Sequence, residues 1–165
     1  MTIRDEMPKD FQVIGEITAD AFKDHPHSNQ CEPLLIEALR KAGGLAVSLV
    51  AEEGGMVVGH IAFSTASIGK ATNWYALGPV AVRPGRQGAG IGQALVRAGL
   101  DRLKAMGAKG CVLVGEPGYY RRFGFETDSR LGMAGVPPEY VLALSFGEEL
   151  PEGEIEHHPA FRQFL

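Results

Sequence analysis

Cysteine is nearly absent, with only Cys31 and Cys111 among 165 residues. Two thiols cannot build a disulfide framework, and a chain of this length buries an adequate core without one. No run of roughly 18 apolar residues could cross a bilayer, and Met1-Thr2-Ile3-Arg4-Asp5-Glu6 carries no apolar signal core. Positive charge is not in excess: 16 Lys and Arg stand against 20 Asp and Glu, a formal net charge of −4. That balance argues against bulk nucleic acid as the main partner. His25 with His27, and His157 with His158, lack cysteines or carboxylates at ligand spacing, so no metal site is expected. No repeat, low-complexity tract or linker divides the chain. These absences point to a globular protein of the cytoplasm, with no membrane partner.

Glycine, by contrast, is abundant, and it is concentrated where it carries chemistry. Val80-Ala81-Val82-Arg83-Pro84-Gly85-Arg86-Gln87-Gly88-Ala89-Gly90-Ile91-Gly92 reads as a strand, a glycine turn and the opening of an amphipathic helix. Glycines at alternate positions leave N–H groups uncovered at the positive end of a helix, an arrangement that holds phosphate oxygens. The dinucleotide pattern G-x-G-x-x-G fails because Gln93 stands where its third glycine belongs, and no acidic residue lies on a strand about 20 residues on. The triphosphate loop G-x-x-x-x-G-K-[ST] fails because Ile91 and Gly92 replace the lysine and the hydroxyl. Arg83, Arg86, Arg97, Arg102 and Lys104 gather positive charge on or near this turn, with Arg83 or Arg86 expected to face the phosphates.

The elements around the turn follow from periodicity. Thr2 to Glu6 reads as a strand, and a helix starts near Pro8 with Ile14, Ile17 and Ala21 on one face. A second helix runs from Pro33 to Gly43-Gly44, after a loop at His25 to Gln30. Leu45–Ala51 and Met56–Ser64 form a hairpin through Glu52-Glu53-Gly54-Gly55. Tyr75–Val82 is a strand that Gly78-Pro79 should bulge, opening backbone groups to a ligand. The helix over Gly88–Met106 turns Ile91, Ala94, Leu95, Ala98, Leu100 and Leu103 to one side and Gln93, Arg97, Asp101 and Lys104 to the other. Cys111–Val114 is a central strand, followed by a short helix and a strand over Tyr140–Phe146. The order predicts an α/β fold on a mixed sheet, with residues 1–147 as the domain and a polar tail over 148–165 packed on it.

Gln87-x-x-Gly90-x-Gly92 resembles the [RQ]-x-x-G-x-[GA] signature of the N-acetyltransferase (GNAT) superfamily, and Val80-x-Val82-x-Pro84 fits the strand before it. Tyr119-Tyr120-Arg121-Arg122-Phe123-Gly124-Phe125 resembles that superfamily's later Y-x-x-x-G-F pattern. With Gly115-Glu116-Pro117, Val136-Pro137-Pro138-Glu139-Tyr140 and His158-Pro159-Ala160-Phe161, the chain looks like the YhbS-like subgroup, although Glu116 stands where that subgroup usually has aspartate.

The resemblance implies a single-domain acyl-CoA N-acyltransferase fold, its mostly antiparallel mixed sheet flanked by helices. It implies acetyl-CoA as cosubstrate and a primary amine as acceptor, in a monomer or homodimer. Val80 and Val82 would pair with the pantetheine arm, while Gln87, Gly88, Ala89, Gly90, Ile91 and Gly92 would hold the pyrophosphate. Tyr120 would serve the leaving thiolate as acid or hydrogen-bond donor. Glu116 is the first candidate base, with His60, Glu52, Glu53 and a water relay as alternatives. Two other readings stay open: a coenzyme-binding sensor without turnover, and a transferase of a longer acyl group.

Overall fold

The computed structural model describes residues 1–147 and 149–164. Along the chain run β1 (Thr2–Asp5), α1 (Phe11–Phe22), α2 (Glu32–Ala42), β2 (Leu45–Glu53), β3 (Met56–Ile68) and β4 (Ala71–Val82). They are followed by α3 (Ile91–Ala105), β5 (Gly110–Val114), α4 (Pro117–Tyr120), β6 (Leu131–Gly132), β7 (Val141–Ser145) and β8 (Gly153–His157). The strands line up as β1-β2-β3-β4-β5-β7, with β8 joining β3 and β6 joining β8. Within that row only β4 and β5 run parallel. The fold is thus α/β, with a mixed and mostly antiparallel open sheet.

Side-chain alternation sends two apolar sets to opposite sides of the sheet. Val47, Leu49, Ile61, Phe63 and Leu77 meet Leu95, Leu100 and Leu103 of α3. Val50, Val57 and Ala81 meet Ile14 and Ile17 of α1 and Ile36 of α2. The α3 packing is close: a Cβ on Gly99 would lie 2.1 Å from the Phe63 ring.

Several boundaries differ from the sequence reading for identifiable reasons. Helix α3 begins at Ile91 rather than Gly88, because Gly88 and Gly90 take φ of +82° and +81°, which a right-handed helix cannot continue. Strands β3 and β4 extend through Ile68 and back to Ala71, where exposed Thr72 and Asn73 break the apolar run that marks a strand in sequence. Phe125 is fully buried and lies in no strand; beside it Glu126 makes an isolated bridge to Ala143. Downstream, β8 pairs with the end of β3 through His157, Glu156 and Ile155, opposite Ala66, Ser67 and Ile68. A 3-10 segment over Pro159–Phe164 follows it. The boundary expected at residue 148 falls on Glu148, outside the described residues.

Candidate active site

The site begins where two strands part. Strand β4 pairs with β5 only through Trp74, Tyr75 and Ala76, opposite Gly110, Cys111 and Val112. Just beyond, Gly78 and Pro79 bulge, since Leu77 pairs with Phe63 and Val80 with Ile61, leaving two residues of β4 opposite Ala62 alone. From the bulge to Val82, β4 keeps β3 on one side and has no β5 partner on the other.

Parity fixes which backbone groups face that opening. The Arg83 N–H donates to the Val58 carbonyl at 2.8 Å, and Ala81 pairs with His60 in the same register. The polar groups of Ala81 and Arg83 therefore point to β3, and those of Val80 and Val82 point into the splay. Gln87 reaches back to this strand, its Nε2 donating to the Val82 carbonyl at 3.2 Å. That leaves the two N–H groups and the Val80 carbonyl open.

At the top of the splay lies the glycine turn. Gly90 is the N-cap of α3 and no side chain caps the helix. The first helical bond inside α3 is Ala94 N–H to the Gly90 carbonyl, so the amides of Ile91, Gly92 and Gln93 have no intrahelical acceptor. The motif's glycines serve two different needs. Gly88 and Gly90 supply left-handed backbone, whereas Gly92 is right-handed and a Cβ there would make ordinary contacts, 3.7 Å from the Tyr119 hydroxyl and 3.8 Å from Val82. Gly92 thus keeps open a space that the protein itself does not fill.

The second motif forms the facing wall. Glu116 precedes α4, and its carbonyl accepts the amides of Tyr119 and Tyr120, both at 3.1 Å, while its side chain is exposed. Tyr120 is half-buried in an aromatic cluster, its ring centroid 4.9 Å from Tyr119, 6.1 Å from Phe125 and 6.2 Å from Phe123. Burial first, then the neighbouring Tyr119 and Cys111, pushes the Tyr120 phenol up to about 12. Its hydroxyl has no hydrogen-bond partner among the described residues.

Other candidates are committed elsewhere. Glu53 forms a bidentate pair with Arg86 at 2.8 and 2.9 Å, and that guanidinium holds its carboxyl below the usual range. Glu52 pairs with Arg4 at 3.3 Å. Arg83 donates Nε to the Val57 carbonyl at 3.0 Å. Of the two arginines expected to face the phosphates, Arg86 is paired with Glu53, while Arg83 makes this backbone bond and no ion pair among the described residues. Among the described residues Arg122 and Arg97 make no ion pair; they stack over Tyr119 at 4.5 Å and Phe123 at 4.9 Å on the α4 side. Among the described residues no group of three or more His, Cys, Asp or Glu could hold a metal ion, and no helix is long and apolar enough to cross a membrane.

His60 is fully buried, and desolvation drives its pKa down to about 4. Its Nε2 lies 2.7 Å from Ser48 Oγ, which lies 2.6 Å from Glu6 Oε1, and Arg40 grips Glu6 at 2.8 and 2.9 Å. Burial raises the Glu6 pKa, but bonds from Arg40 and Ser48 outweigh it and leave the carboxyl below its ordinary value. Glu6 is then a pure acceptor, so Ser48 donates to it and the His60 Nε2–H donates to Ser48. This leaves Nδ1 as a buried acceptor with no partner among the described residues. The chain of bonds ties β2 and β3 to α2 and makes His60 a structural group. Sequence offered little sign of it, beyond two polar residues standing in otherwise apolar strands.

An open strand edge leading to orphan helix amides suits a long anionic ligand carrying amide groups. The matching protein family is the acetyltransferase (GNAT) domain, over residues 2–127. The N-acetyltransferase YhbS of Escherichia coli is 32% identical over 172 residues, covering 99% of this chain and all of that protein. A GNAT family acetyltransferase from Brucella melitensis, solved in complex with acetyl-CoA, superimposes with a TM-score of 0.87 at 48% identity, covering 97% of each chain. YhbS from Escherichia coli in complex with CoA gives a TM-score of 0.87 at 30% identity, covering 99% of this chain and 93% of that one. The chain belongs to the GNAT acetyltransferase family, an acyltransferase of YhbS-like sequence.

Proposed function

We propose that the protein transfers the acetyl group of acetyl-CoA to a primary amine by direct attack in a ternary complex. The observation that carries this reading is the run of unpaired backbone in β4 ending at the uncapped amides of α3. In this reading the Val80 and Val82 N–H groups and the Val80 carbonyl bind the amide-bearing pantetheine arm. One of the two N–H groups polarises the thioester carbonyl as negative charge develops there. The amides from Gln87 through Gly92 hold the pyrophosphate, Gly92 leaves it room, and Arg122 supplies nearby charge. The thioester provides an activated acetyl group, whose C–S bond breaks as the C–N bond to the amine forms.

Tyr120 donates a hydrogen bond to the sulfur as charge collects on it. With its pKa near 12 and a thiol near 8.5, complete proton transfer would be uphill by about 5 kcal/mol. Glu116, exposed before α4 on the same wall, receives the amine proton directly or through water. The cytoplasm is the compartment this reading assigns.

The test is a panel of amines, amino acids and peptides with acetyl-CoA, followed by free-thiol release and by mass of the acetylated product. At least one amine should give saturable release above hydrolysis. Coenzyme binding with no transfer to any acceptor would favour the sensor reading, and faster turnover with longer acyl-CoAs would favour the other alternative.

A further inference from the structure

Gly115 lies between β5 and α4 and bears no group able to react, yet its contacts concern Tyr120 directly. A Cβ at Gly115 would lie 2.7 Å from Tyr120 Cε2 and 3.2 Å from Cδ2, with Leu113 Cδ1 at 3.1 Å. The backbone does not demand glycine there, because the φ of Gly115 is not left-handed. What demands it is the phenol ring, whose Cε2–Cδ2 edge occupies the place of a Cβ.

Neither side of this contact is free to yield. The Gly115 N–H donates to the Tyr140 carbonyl at 3.0 Å, anchoring the glycine to the residue just before β7. Leu113 is a buried core residue. The Tyr120 amide is held by the Glu116 carbonyl, and the ring is bounded by Tyr119 at 4.9 Å and Phe125 at 6.1 Å. An added methyl group would have to push the ring by roughly 0.7 Å to restore ordinary contact at 3.4 Å.

We propose that Gly115 is a positioning residue for acetyl transfer: its missing side chain is the seat that sets where the Tyr120 hydroxyl meets the coenzyme sulfur. This rests on the role given to Tyr120 above. The shortest approach is to that ring, with Leu113 the next side chain met, and the three nearest atoms include none from the pyrophosphate turn or the β4 edge. A misplacement approaching 1 Å at a reacting centre costs on the order of 100-fold in rate.

The experiment is a double-mutant cycle of Gly115→Ala and Tyr120→Phe, read as kcat and as KM for acetyl-CoA. Gly115→Ala should lower kcat roughly 10- to 100-fold and leave KM within about threefold. In the Tyr120→Phe background, where no hydroxyl remains to be placed, the same substitution should change kcat by less than about twofold. An equal loss in both backgrounds, a wild-type kcat for Gly115→Ala, or a loss confined to KM would overturn the proposal. Failure of the underlying Tyr120 role looks different: Tyr120→Phe alone would leave kcat unchanged, and the positioning role would fall with it. Should Gly115→Ala melt too low to assay, the cycle is run on Tm with Tyr120→Ala. Removing the ring should restore the Tm lost to the methyl group, and no restoration would contradict the seat.

Discussion

Replacing Tyr120 by phenylalanine removes one oxygen and leaves a ring that still fills the space between Gly115 and Phe125. Folding and coenzyme affinity should therefore hold. A hydrogen bond to a developing thiolate is worth about 1.5–3 kcal/mol, which is roughly a 10- to 150-fold loss in kcat. The pH dependence reports the phenol's pKa, which decides whether full proton transfer to the thiolate is feasible. A phenol at about 12 stays protonated across the usable range, so activity that depends on it is present below that value and lost only as pH rises through it. The wild-type kcat profile, measured by thiol release at saturating amine and acetyl-CoA, should show no descending limb below about pH 10 that belongs to Tyr120. Tyr120→Phe should lower the whole profile without changing its shape. A descending limb near pH 8–9 that vanishes in the variant would contradict the raised phenol pKa and make full proton transfer to the thiolate feasible, while an unchanged kcat would remove Tyr120 from the reaction.

Further outcomes follow from neighbouring groups. Gly90→Ala forces a side chain into left-handed backbone, costing about 1–2 kcal/mol, and should weaken CoA binding in calorimetry. Gly92→Ala makes only ordinary contacts in the protein, so it should leave Tm within a few degrees while still weakening CoA. His60 has a folded-state pKa near 4, below an unfolded value of about 6.5, so the unfolded chain binds more protons between them. Stability should be complete above pH 6.5 and fall by about 3 kcal/mol on the way to pH 4, and His60→Gln should flatten that dependence in denaturant titrations. Glu116→Gln should lower kcat/KM for the amine, more strongly at low pH, without altering the CoA dissociation constant. An unaltered kcat/KM would transfer the proton to water.

The sequence carried the parts of this fold that rest on strong periodicity or on special backbone. The apolar stripe of α3, the hairpin of β2 and β3, and the bulge at Gly78-Pro79 were all legible, because each has a local chemical cause. Strand β8 was not, since Gly153–His157 buries only Ile155 and reads as a polar tail. Within the site, the motif glycines were visible, but their division into left-handed and space-leaving positions depends on φ values and neighbours. The commitments of Arg86 to Glu53 and of His60 to Ser48 join residues 33 and 12 positions apart. The seat of Tyr120 on Gly115 is short-range, yet nothing in sequence distinguishes a glycine kept for backbone freedom from one kept for a neighbour's ring.

The most direct test of acetyl-CoA lying along the open edge of β4 is residue-resolved amide hydrogen exchange, with and without the coenzyme. The Val80 and Val82 amides should exchange readily in the free protein and become protected when acetyl-CoA is added. Ala81 and Arg83, already bonded to β3, should be slow in both states. Val80 and Val82 amides that ignore saturating acetyl-CoA would contradict the site.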